Sequence, residues 1–147
     1  MKLVVIGENI EDNSRFVEDS NCQETLARTI SYFEGLGYAL PWVGYYALIG
    51  DEVIGTCAFK GGPINGKVEI AYVTFDQYRG KGYGTEMCRD LVRIGQDHNA
   101  AIQISARTLR EKGHSTRILE KNGFSIKDEI IDLDGAPVWE WIYNGNS

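Results

Sequence analysis

Residues 79–86 read RGKGYGTE, with glycines at 80, 82 and 84. The flanking pattern sets them between a strand ending near Phe75 and a helix starting near Gly82. A helix N-terminus carries N–H groups without partners and a partial positive charge. Glycines there let an anion reach the backbone without meeting a Cβ, and Arg79 and Lys81 add charge. The chemistry that suits this loop is the binding of a phosphate or pyrophosphate. Two other phosphate loops do not fit. GxxxxGK followed by Ser or Thr is absent, and in GxGxxG counted from Gly80 the third glycine falls on Thr85. The same glycines also suit a tight strand-to-helix turn, and the loop alone does not separate the two readings.

A second chemical candidate lies upstream. Glu69 interrupts an otherwise apolar run of Val68, Ile70, Ala71, Tyr72 and Val73. A carboxylate on such a strand is expected to be partly desolvated, which raises its pKa toward the range of a general base. The alternative is a salt-bridged or edge-exposed glutamate.

These residues need elements to hold them. "KLVVIG" reads as a strand, and "EDNSRFVED" and "QETLARTISYFEGLG" as helices, the second with Leu26, Ile30 and Phe33 at helical spacing. "GYYALIG" and "EVIGTCAFK" form a hairpin about Gly50-Asp51. "KVEIAYVTF" is a strand. The helix after the glycine loop sets Met87, Cys88, Leu91, Ile94 and Gly95 on one face. "AAIQISA" is a strand, "HSTRILEKNG" a helix, and "FSIKDEIIDL" and "APVWEWIY" strands about Asp134-Gly135. This order predicts a single α/β (α+β) domain over 1–147, with a mixed, mostly antiparallel sheet flanked by helices.

With 147 residues, 43 % hydrophobic and 24 % charged, the chain is of one-domain size. A net charge of −6 argues against a nucleic-acid footprint. The N-terminal apolar run is too short for a signal peptide, and no stretch nears the roughly 20 apolar residues that span a bilayer. Cys22, Cys57 and Cys88 form no CxxC pair, as expected of reduced thiols in a cytoplasmic protein. No metal, membrane or nucleic-acid partner is expected.

Two longer stretches carry a resemblance. "VEIAYVTFDQYRGKGYGTEM" resembles the acyl-CoA-binding motif of the GNAT superfamily of N-acetyltransferases, R/Q-x-x-G-x-G/A after a strand, matched by Arg79, Gly82 and Gly84. "SARTLREKGHSTRILEKNGF" is similar to the next strand and helix of that fold. The finer likeness is to the RimJ/RimL-type branch, whose "VEI-x-Y" and "GYATE" read "VEIAY" and "GYGTE" here. The resemblance implies acetyl-CoA as cosubstrate and a primary amine, on a small molecule or a protein N-terminus, as acceptor, with direct transfer in a ternary complex. It assigns the pyrophosphate to the backbone of Gly80, Lys81, Gly82, Tyr83, Gly84 and Thr85, and the pantetheine arm to Tyr72, Val73 and Thr74. One strand amide polarises the thioester carbonyl. Ser115 borders the cofactor or caps a helix. Glu69 matches a family base. The enzyme is expected to act as a monomer or homodimer.

The chain also departs from the family. A tyrosine that protonates the leaving thiolate is replaced by Leu119, and an asparagine by Lys112, so the general acid is unassigned; Tyr72 and Tyr83 are possible donors. A noncatalytic acyl-CoA-binding module is the competing reading. Cys88 is expected in the core and His98 and His114 at the surface. For the acceptor slot the candidates are Trp42, among the aromatic residues of "SYFEGLGYALPWVGYY", and Glu34, which offers a charge to an amine.

Overall fold

The computed structural model describes residues 1–145. Strands β1 (Lys2–Val5), β2 (Gly44–Ile49), β3 (Glu52–Phe59), β4 (Lys67–Thr74), β5 (Gln103–Leu109), β6 (Phe124–Ile131) and β7 (Pro137–Tyr143) join helices α1 (Gln23–Leu36), α2 (Tyr83–His98) and α3 (His114–Lys121). All seven strands form one sheet in the order β1-β2-β3-β4-β5-β7-β6. Every neighbouring pair is antiparallel except β4 and β5. The mixed, mostly antiparallel α/β architecture expected from the element order is therefore the one observed.

The expected helix over 11–19 does not form. A 3-10 turn, Ile10–Asn13, stands in its place. Asn13 is buried, and its side chain accepts from Gly7 N–H at 2.8 Å and donates to the carbonyls of Gly7 at 3.2 Å and Asn9 at 2.8 Å. These local bonds compete with the helical ladder, and they win over a stretch with few apolar residues to bury.

The core explains where α2 sits. Its stripe of Met87, Cys88 and Leu91 is fully buried against Val68 and Ile70 of β4 and Ile104 and Ala106 of β5. Each such side chain contributes about 1.5–3 kcal/mol on leaving water. On β4 the apolar residues alternate with Lys67, Glu69 and Ala71, so Lys67 and Glu69 face the other side of the sheet. A second cluster, Phe16, Leu26, Tyr46 and Leu48, packs α1 and the N-terminal turn on that other side.

Candidate active site

The site follows from how β4 and β5 part. Their parallel register runs only over Lys67↔Gln103, Val68↔Ile104 and Glu69↔Ser105. Beyond it β4 continues with β3 as far as Thr74↔Gly55, and β5 with β7 as far as Leu109↔Val138. The two strands therefore diverge. Lys60 N–H bonds to Glu69 O at 2.8 Å and Phe75 N–H to Ile54 O at 2.9 Å, so the odd-numbered residues of β4 turn their backbone groups to β3. Tyr72 then turns its N–H and C=O into the split, where no strand receives them. Val73, assigned with it to the pantetheine arm, spends its backbone on β3 and offers only its side chain.

A cleft of about 300 Å³ occupies the split, lined among others by Glu69, Tyr72, Arg107, Ser115 and Asp132. Glu69 and Tyr72 belong to opposite faces of β4, so this cleft joins the two faces of the sheet. On the α2 side it meets a second cleft of about 500 Å³, lined by Tyr72, Val73, Thr74, Arg79, Gly80, His114, Ser115 and Ile118. Gly80 of the glycine loop thus lines the second cleft, Glu69 the first, and Tyr72 and Ser115 border both.

Within the loop the glycines do different work. Gly80 has φ +81° and Gly82 φ +82°, the left-handed region that other residues enter at a cost. These two turns lead from Gly80, which lines the second cleft, directly into α2. Gly82 is the N-cap, and no side chain caps this end, so the first N–H groups of α2 stay available. Gly84 has an ordinary helical place. A Cβ there would lie 2.6 Å from Ile118 Cδ1, so the missing side chain lets α2 pack closely on α3. Asn122 ties the same two helices by donating to Thr85 O at 3.2 Å and Ile118 O at 3.0 Å. Arg79 is exposed and pairs with Asp76 at 3.1 Å, Lys81 is exposed, and Tyr83 is half-buried at the first position of the helix.

Glu69 is not the isolated acid that its strand suggested. Its side chain is 20 % exposed and lies between two cations, Lys60 Nζ at 3.2 Å and Arg107 Nε at 3.4 Å. Arg107 Nη1 is held in turn by Asp132 at 2.7 Å, while Lys67 pairs with Glu140 at 2.9 Å. Arg107, by its hydrogen bond, holds the Asp132 carboxyl below its usual range. Lys60, Arg107 and Asp132 were not singled out from sequence. They come from three segments separate from β4, and only the register that sets Glu69 against Ser105 brings Arg107, two residues on, to the same face.

The remaining candidates sort by position. Ser115 is exposed and borders both clefts. It is not a helix cap: Gly113 is the N-cap of α3, and the Thr116 hydroxyl takes the Gly113 N–H at 2.8 Å. Leu119 is fully buried. Burial pushes the Cys88 thiol up to about 12, and no cysteine lines either cleft. Trp42 is placed by packing: it is 6 % exposed, edge-on to Phe59 at 5.0 Å and His98 at 5.1 Å, and lines neither cleft. Its apolar ring is better satisfied in the core than at an amine slot. Glu34 is exposed on α1, away from both cleft linings. His98 and His114 are exposed, as expected.

Comparisons with known proteins agree with this geometry. A family model described as "Acetyltransferase (GNAT) domain" matches residues 10–125, well over half of the chain. A curated relative, the uncharacterized N-acetyltransferase YjdG of Bacillus subtilis (strain 168), is 32 % identical over 93 residues, 63 % of this chain and 52 % of that protein. The chain thus spans about half the length of this relative. Among solved structures, aminoglycoside acetyltransferase AAC(6')-Ib in complex with coenzyme A matches with a TM-score of 0.66 and 21 % identity, over 96 % of this chain and 92 % of that one. RimL, the ribosomal L7/L12 alpha-N-protein acetyltransferase in complex with coenzyme A, matches with a TM-score of 0.63 and 17 % identity, over 89 % and 76 %. At such identities the likeness is one of fold, and it is the family match, with the split sheet and its glycine loop, that gives the conclusion: the chain belongs to the GNAT acetyltransferase family.

Proposed function

We propose that this chain is an N-acetyltransferase that moves the acetyl group of acetyl-CoA directly onto a primary amine while both are bound. The observation that carries this reading is the cleft through the sheet where β4 and β5 part. On its α2 side the backbone of Gly80–Thr85, with Arg79 and Lys81, suits the pyrophosphate. Tyr72, Val73, Thr74 and Ser115 border the pantetheine path. The Tyr72 N–H, free in the split, is placed to polarise the thioester carbonyl. On the far face Glu69 takes the proton of the attacking amine, directly or through one water. The nitrogen bonds to the carbonyl carbon, the C–S bond breaks, and its electron pair stays on sulfur. A covalent acetyl-cysteine step finds no support, because Cys22, Cys57 and Cys88 are all buried and burial keeps their thiols protonated.

The acceptor is a small-molecule amine or a protein N-terminus. The names of the similar structures include both an aminoglycoside acetyltransferase and an alpha-N-protein acetyltransferase, and "VEIAY" with "GYGTE" favours the RimJ/RimL-type branch. We place the enzyme in the cytoplasm, as a monomer or homodimer. One observation favours a noncatalytic acyl-CoA-binding module: Leu119 is buried where the family's tyrosine is common. The test is thiol release from acetyl-CoA with kanamycin, spermidine, glycinamide and a short free-N-terminal peptide. Turnover with any of them supports the enzyme. Coenzyme A binding without turnover supports the module.

A further inference from the structure

A thioester that loses its acyl group leaves charge on sulfur, and a donor within reach lowers that barrier. Helix α3 offers no phenol at 119, since Leu119 is an aliphatic residue wholly buried in the core. The donor must instead lie where the split cleft meets the cofactor cleft, because the thioester would lie between the two. Two residues line both clefts, Tyr72 and Ser115. Resting on the acetyltransferase reading, we infer that the Tyr72 hydroxyl is the hydrogen-bond donor that stabilises the departing sulfur.

The geometry of Tyr72 fits that role. Its hydroxyl donates to the Ser115 carbonyl at 3.3 Å, a long bond that a charged acceptor outcompetes. The hydroxyl therefore lies at the start of α3, across the split from its own strand. Apart from the Ser115 hydroxyl, which borders the same two clefts on the shorter side chain, the other donors nearby are engaged or stand aside. The Thr108 hydroxyl donates to Leu109 O and accepts from Trp141 Nε1. Lys60 and Arg107 are paired with carboxylates. His114 lines only the cofactor cleft. Burial pushes the Tyr72 phenol above its usual range, so it keeps its proton at neutral pH and acts as a donor, not as a base. The step balances without an added reactant: the C–S pair moves to sulfur while the phenol hydrogen-bonds to it. The proton lost by the amine equals the one the thiolate takes up through water.

The experiment compares wild type with Tyr72→Phe, using acetyl-CoA and its selenoester analogue, and the best amine of the panel above. A selenolate leaves with far less help than a thiolate. Removing the hydroxyl is expected to lower kcat with acetyl-CoA by about 10²-fold, with KM for acetyl-CoA and calorimetric affinity for coenzyme A nearly unchanged. With the selenoester the deficit should shrink to a few-fold. An equal deficit with both donors, or none with acetyl-CoA, overturns the assignment while leaving the acetyltransferase reading intact. A wild-type chain that turns over neither donor overturns both. If Tyr72→Phe does not fold, 3,5-difluorotyrosine at 72 keeps the ring and hydroxyl and strengthens the donor. An unchanged kcat in that protein counts against the proposal, and a changed one supports it.

Discussion

The two ends of the cleft are built from different materials. At the end proposed for the phosphate the material is backbone: Gly80 and Gly82 take positive φ, and the uncapped first turn of α2 leaves N–H groups available. At the end proposed for the acceptor it is side chains, with Glu69 held between Lys60 and Arg107, and Arg107 held by Asp132. A backbone site tolerates most side-chain changes but not those that alter a turn or add charge. A side-chain site fails when one atom is exchanged. The difference teaches which substitutions separate binding from chemistry.

The largest expected effect tests the acceptor end. Glu69→Gln keeps size and removes the base, so kcat should fall by about 10²- to 10⁴-fold at neutral pH. Activity should return only as pH approaches the amine's own pKa, and coenzyme A affinity should barely change. Full activity of this variant in steady-state assays would remove Glu69 from the mechanism. Trp42→Ala comes next, as a control on what belongs to that end. Deleting a buried tryptophan should cost about 3–5 kcal/mol of stability in denaturant unfolding. In folded protein the KM values for both substrates should move together, and a rise confined to the acceptor KM would return Trp42 to the slot.

At the phosphate end, Gly82→Asp adds negative charge beside the anion site. Asp tolerates the left-handed region better than most residues, so circular dichroism should stay native. Calorimetry should show coenzyme A affinity lower by about 100-fold, near 2.8 kcal/mol. Unchanged affinity would separate the loop from the cofactor. Gly84→Ala should do least. Its Cβ clashes with the flexible end of Ile118 and makes an ordinary contact with Thr74 Oγ1 at 3.7 Å, so a stability loss of about 1 kcal/mol is expected, with coenzyme A affinity within about threefold. A loss as large as that of Gly82→Asp would erase the distinction between the two glycines.

The same contrast governs what the sequence revealed. The glycine loop was legible as a strand-to-helix turn because one contiguous stretch encodes it, and Gly80 and Gly82 do take positive φ. Strand and helix order was legible from periodicity, except at 11–19, where Asn13 turned the chain by side-chain bonds that no apolar period records. At the end proposed for the acceptor, Glu69 alone stood out in the sequence. Its partners Lys60, Arg107 and Asp132 lie on other segments, and their convergence depends on the short parallel register of β4 and β5. Trp42 was expected at the slot from aromatic content, which does not distinguish a slot from a core, and it stands 6 % exposed beside Phe59 and His98.

Amide hydrogen exchange with and without acetyl-CoA tests the central claim most directly, because the account makes the backbone the cofactor's partner. Protection on binding should appear at Tyr72, whose N–H enters the split, and across 80–85, while the amide of Val73, already bonded toward β3, changes little. Protection confined to other segments, or none at saturating acetyl-CoA, would contradict the account.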